Sequence, residues 1–251
     1  MIDVPSVNLP VRCVISVAKD KMPECPLHLN FHGGGFIYVQ DHDDDIYCAH
    51  IAAQTHGVVI DVDYATAYEH PFPVPFEQSY EVARWAFAHL ADYGVSEKKV
   101  SVGGSSAGGC LAAAVALKAS LSGDFKFCLQ VYEYAANDNY LPIPEKLDRS
   151  IAFSMFYADG DEELLKDPYV SPAYMTDEML PLLPKTLIIS AENCPFTKAN
   201  EKLGARLVEA GVEVHQKRFK NSNHGFVVRI SGEWESAQQM IIDEINRTAL
   251  A

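Results

Sequence analysis

Gly104-Ser105-Ser106-Ala107-Gly108-Gly109 sets a serine in the pattern G-x-S-x-G, directly after an apolar stretch at 100–103 and directly before an apolar run at 110–117. Strand, sharp turn and helix in that order strain the middle residue and leave room only for small neighbours, here Gly104 and Gly108. The hydroxyl of Ser106 then stands at a helix start, where partial positive charge favours a developing anion. That is equipment for acyl transfer through a covalent intermediate, and it needs a base. Among nine histidines, His224 in Asn223-His224-Gly225-Phe226 is the one placed late in the chain, after a strand and before the last helix. The order serine, acid, histidine requires that place. Upstream, His32-Gly33-Gly34-Gly35 follows a strand-like segment. Three glycines in a row are costly to order and mark backbone that approaches something closely. An oxyanion needs N–H donors at about 3 Å. Gly33, Gly34 and Ala107 are the candidates, with His32 supporting the loop. Ser105 lacks the glycine spacing of Ser106.

The acid is the gap. The turn after the strand-like segment 186–190 reads Ala191-Glu192-Asn193-Cys194-Pro195, which offers Glu192 but no aspartate.

These residues need a scaffold. Strand-like segments fall at 11–17, 27–31, 58–63, 100–103, 127–134, 186–190 and 212–219. Val82, Trp85, Ala86, His89 and Leu90 form one helical face; Leu203, Leu207 and Ala210 form another, with Gly211 placed to end it. Trp234, Ala237, Ile241 and Ile245 mark a C-terminal helix. Strands alternating with helices predict a mostly parallel central sheet with helices on both faces, and ligands at the carboxyl ends of the strands. The acidic run His42-Asp43-Asp44-Asp45 reads as the capped start of a helix rather than a metal cluster.

With 251 residues, no repeat and no linker, the chain is expected to form a single domain, 1–251. A net charge of −14 argues against nucleic-acid or anionic-membrane partners. No secretory signal or membrane-length apolar run is visible. Six scattered cysteines without a C-x-x-C pair suit reduced thiols. A cytoplasmic protein is expected. Homo-oligomerisation stays open.

Taken together the motifs resemble the hormone-sensitive-lipase-like (family IV) esterases of the α/β-hydrolase fold. HGGG at 32–35 and GSSAGG at 104–109 match the family's HGGG and GDSAGG, while Asp63-Tyr64 with Glu69-His70-Pro71-Phe72-Pro73 matches its DYRLAPEHPFP segment. Asp167-Pro168, Ser171-Pro172 and the HGF at 224–226 fit as well. The resemblance implies a serine esterase acting on a small-molecule ester without cofactor or metal. Four departures stand out. Ser105 replaces the elbow aspartate. Ala65 and Gln78 replace an arginine and an aspartate, which is expected to loosen the loop behind the site. HGGG comes early, implying a reduced cap, a shallow pocket and a short acyl group. The AExDPL acid motif reads Ala191-Glu192-Asn193-Cys194-Pro195-Phe196, so Cys194 stands at the acid position.

Two functions follow from these features. One is hydrolysis of short-chain, acetyl-type esters through an acyl-enzyme, with Ser106 as nucleophile, His224 as base and an atypical acid, Cys194 by register or Glu192 by charge; activated amides are a close variant. The other is a ligand-binding or degenerate hydrolase, since loss of the triad carboxylate costs a serine protease about 10⁴ in turnover.

Overall fold

The computed structural model describes residues 1–3, 5, 7–140 and 149–249. Seven strands form one sheet: β1 (Arg12–Val17), β2 (Cys25–Phe31), β3 (Val58–Asp63), β4 (Val95–Ser105), β5 (Leu129–Glu133), β6 (Lys185–Asn193) and β7 (Val214–Asn223). Their order is β1-β3-β2-β4-β5-β6-β7; β1 runs antiparallel to β3 and every other pair is parallel. All seven expected strands are present. β2 and β5 are buried along their length, as strands covered on both faces must be.

The helices are α1 (His42–Thr55), α2 (Val74–Ala88), α3 (Leu90–Tyr93), α4 (Ala107–Ser122), α5 (Arg149–Tyr157), α6 (Thr197–Glu209) and α7 (Trp234–Ala249). Three short 3₁₀ turns, Leu164–Lys166, Pro172–Tyr174 and Leu180–Leu182, lie between α5 and β6. Ala-rich α4 is buried almost all round, which its small side chains permit where it crosses the sheet. Among the described residues no helix precedes β1, and none is long and apolar enough to cross a membrane.

Two helix ends differ in detail from the sequence pattern. α1 is capped by Asp41, whose side chain accepts from Asp43 N–H at 2.9 Å, while Asp44 returns the bond as a capping box. The helical face ending in Leu90 is interrupted at His89, whose ring Nδ1 lies 2.7 Å from the Trp85 carbonyl and takes over the last turn. Gly211, at φ +87°, follows the end of α6 as expected.

The loop behind HGGG is tied down rather than loosened. Gln78, 1% exposed, accepts from Ala65 N–H at 2.7 Å and donates to the carbonyls of Leu9 and Pro10 at 3.2 and 3.4 Å. One neutral amide fastens the N-terminal segment to the loop, so no arginine–aspartate pair is needed there. All six cysteines are free thiols.

Candidate active site

Ser106 is the single residue between β4 and α4, and its backbone sits at φ +55°, ψ −114°, a region L-residues enter only under constraint. The constraint is visible. Ser106 N–H donates to the Glu133 carbonyl at 2.9 Å, and its own carbonyl accepts from Ala136 N–H at 2.8 Å and Cys110 N–H at 3.3 Å. A Cβ on Gly108 would lie 1.8 Å from the Phe31 oxygen, and one on Gly104 would lie 2.4 Å from the same atom. Both glycines are demanded by the closeness of β2's end to the turn.

β7 ends at Asn223, and Gly225 at φ +88° turns the chain so that His224 points back across the sheet. Its Nε2 lies 2.8 Å from Ser106 Oγ. On the other side Nδ1 lies 3.1 Å from the Sγ of Cys194, which sits between the end of β6 and the start of α6. Ser106, His224 and Cys194 therefore form a continuous line from three separate loops. Tyr134 and Phe196 flank the imidazole with ring centroids at 5.1 and 5.7 Å. Burial, with Arg229 adding repulsion, pushes the His224 pKa down to about 4. Burial pushes the Cys194 thiol above its usual value, so the sulfur is uncharged at neutral pH.

Glu192 is not brought to the ring. Its side chain is about half exposed and lies 3.4 Å from Arg218, on the outer surface of the sheet edge. The run of buried residues in β6 ends at Ala191, the ladder to β7 is irregular between Ala191 and Asn193, and the residue between them is turned out to solvent. Asn193 is exposed as well and pairs with Asn223 in the ladder.

Gly33 lies against the turn that carries Ser106; a Cβ there would be 2.9 Å from Ser105 Oγ and 3.7 Å from Ser106 Cβ. Gly34 has φ +127°, and a Cβ on Gly35 would run into the Phe153 ring at 2.1 Å. Among the described residues the N–H groups of Gly33, Gly34 and Ala107 have no hydrogen-bond acceptor. His32 is wholly buried, stacked on Tyr64 at 4.2 Å, with Nδ1 2.6 Å from the Gly33 carbonyl; Tyr64 OH donates to its carbonyl at 2.7 Å. It braces the loop. Ser105 is 6% exposed and makes no bond to His224.

A family model described as the alpha/beta hydrolase fold matches residues 28–228, from β2 to just beyond His224. The chain belongs to the α/β-hydrolase family. Its hormone-sensitive-lipase-like character is carried by esterase relatives. It is 33% identical to Esterase LipI of Mycobacterium tuberculosis over 214 residues, which are 81% of this chain and 66% of that protein. It is 28% identical to the versiconal hemiacetal acetate esterase of Dothistroma septosporum over 224 residues, 83% of this chain and 68% of that one. The hyperthermophilic esterase from Pyrobaculum calidifontis superposes with a TM-score of 0.88 at 29% identity, covering 100% of this chain and 85% of that chain. This α/β-hydrolase thus spans about two thirds of the length of these two curated relatives.

Sequence patterns point most directly to the serine, the histidine and the glycine loop. The sequence offers Tyr134 equally as a pocket-lining or a core tyrosine, and it stands beside His224 at φ +40°, while the wholly buried Glu133 before it carries no motif. Among the described residues no group of three or more His, Cys, Asp or Glu side chains could hold a metal ion; Asp43, Asp44 and Asp45 instead occupy the first turn of α1.

Proposed function

We propose that this α/β-hydrolase cleaves carboxylic esters of short acyl groups through an acyl-enzyme, with Ser106 as nucleophile and His224 as general base. The observation that carries this reading is the 2.8 Å contact between Ser106 Oγ and His224 Nε2 at a strained elbow. Ser106 Oγ attacks the ester carbonyl carbon while Nε2 takes its proton. The oxyanion forms against the free N–H groups of Gly33, Gly34 and Ala107. Collapse of the adduct expels the alcohol, which leaves with the proton from Nε2. Water, deprotonated by the same nitrogen, then releases the acid and restores the serine. No metal or cofactor enters these steps. A small-molecule ester is the substrate class, and the acetate esterase among the relatives supports a short acyl group.

For Nε2 to accept the serine proton, Nδ1 must carry the ring hydrogen and donate it to Cys194. Sulfur accepts weakly, and a neutral thiol cannot balance the imidazolium that forms in the transition state. This proposed relay works without its anion. It supports slow hydrolysis, and it is also the observation favouring a second reading, a ligand-binding protein with little turnover.

p-Nitrophenyl acetate separates the two readings. Hydrolysis by wild type that disappears in Ser106→Ala supports the esterase. A wild type no faster than Ser106→Ala sinks it and leaves the binding protein.

A further inference from the structure

Directly behind the nucleophile lies a charged residue type with no part in the steps above. Glu133 ends β5 opposite Ser105 of β4, and its backbone carbonyl holds the Ser106 N–H. The next residue, Tyr134, bends to φ +40° and sets its ring against His224. One residue therefore sits between the support of the nucleophile and the support of the base.

The Glu133 side chain has no solvent exposure. Oε1 accepts from Tyr47 OH of α1 at 2.6 Å, while Oε2 has no partner among the described residues. The titratable neighbours on α1 are Tyr47, Cys48 and Asp44; on its own strand it is followed by Tyr134; Ser105 of β4 and Ile189 of β6 flank it. Asp61 of β3 adds a further acid beyond Asp44 and Cys48. Among the described residues no Lys, Arg or His bonds to its carboxyl. A carboxylate with one hydrogen bond, buried among acids, has nothing to offset its charge.

We propose that Glu133 is a positioning residue, an uncharged carboxyl tied to α1 by Tyr47, whose ionisation displaces the strand end that holds Ser106 and Tyr134. The proposal rests on Ser106 being the nucleophile. Burial pushes the Glu133 pKa up to about 7, the Tyr47 bond holding it lower than burial alone would. The displacement therefore falls within an accessible pH range. A shift of about 1 Å at a reacting group can cost about 10² in rate, so even a fraction of that is measurable.

Three proteins test it with p-nitrophenyl acetate between pH 5 and 9. Wild-type kcat is expected to drop about tenfold as pH rises through the ionisation, with KM little changed. Glu133→Gln keeps an uncharged group of the same shape and should abolish that drop while staying within about threefold of wild type at pH 6. Tyr47→Phe removes the donor that favours the carboxylate, so its drop should move to higher pH. Identical pH profiles in wild type and Glu133→Gln overturn the proposal. Urea midpoints provide a readout independent of turnover. The unfolded carboxyl ionises near pH 4.5 and the folded one near 7, so wild type loses stability over that window and Glu133→Gln loses less. Equal slopes also overturn it. A wild type inert at every pH, with unequal slopes, would instead remove the esterase reading and with it the positioning role, leaving only a buried neutral acid.

Discussion

The two halves of the site are held by different kinds of force. The serine half is fixed by backbone: three hydrogen bonds to residue 106, two glycines that admit no Cβ, and an eleven-residue strand feeding the turn. The histidine half is held by side chains: a sulfur at 3.1 Å, two aromatic rings and a glycine turn. Backbone fixation dictates residue type and so leaves a motif. Side-chain fixation can be met by more than one residue, and here a sulfur rather than a carboxylate meets the imidazole.

The sharpest way to break the first half is Gly108→Ala. The new methyl meets the backbone oxygens of Phe31 and His32 at 1.8 and 2.5 Å, and neither can move without carrying β2 or the glycine loop with it. Loss of activity should approach that of deleting the nucleophile, about 10³-fold or more, since the wild type already works without a triad carboxylate. Overpacking of this kind also costs about 3 kcal/mol or more of stability, read in a urea titration. A variant that folds and retains a tenth of wild-type kcat would show that the elbow is less constrained than its geometry indicates.

Cys194→Asp tests the second half and should act in the opposite direction. A carboxylate at Nδ1 fixes the productive tautomer and stabilises the imidazolium. The rise in kcat should be about 10²–10³-fold, below the 10⁴ that the carboxylate is worth in a serine protease. The pH profile sharpens the point. With His224 at about 4, the imidazole stays neutral and able to accept a proton down to about pH 4, so the wild-type acid limb lies there. An added anion favours the protonated ring, so the acid limb of Cys194→Asp should move upward, towards the ordinary histidine range. A variant with unchanged kcat and acid limb would mean that residue 194 does not act on the ring.

Legibility in the sequence follows the same division. Ser106, the glycines and the seven strands were readable because steric demand and strand burial each leave a periodic or small-residue signature. His224 was readable through its place in chain order. Cys194 was reachable only through resemblance, since nothing about a cysteine before a proline predicts an imidazole partner. The Gln78 clamp escapes a local pattern, which suggests loosening, because its contacts span 69 residues to Leu9. The N-cap of α1 is Asp41, one residue ahead of the acidic run, and Asp44 within that run closes the capping box, because geometry, not composition, selects which carboxylates cap.

Gln78→Leu disturbs the serine half at one remove. It leaves the Ala65 N–H and the Leu9 and Pro10 carbonyls without their partner. An unsatisfied buried polar group costs about 1–3 kcal/mol, so the urea midpoint should fall. kcat should change less than threefold or so, because the backbone bonds to Ser106 are untouched. A large fall in kcat with no loss of stability would mean that the clamp positions the glycine loop directly.

The smallest effect is expected from Glu192→Gln, and that smallness is the informative part. If the histidine half concealed an anion, Glu192 would be its source, because it lies two residues before Cys194. Its carboxylate instead meets Arg218 at 3.4 Å on the exposed side, and surface pairs of this kind contribute about 0–1 kcal/mol. The irregular end of β6 turns it out to solvent, away from the ring. The variant should therefore match wild type within about twofold in kcat and keep the same acid limb. A tenfold loss, with the acid limb moved to lower pH, would mean that Glu192 swings inward during turnover. Cys194 would then be a spacer beside the relay rather than a member of it.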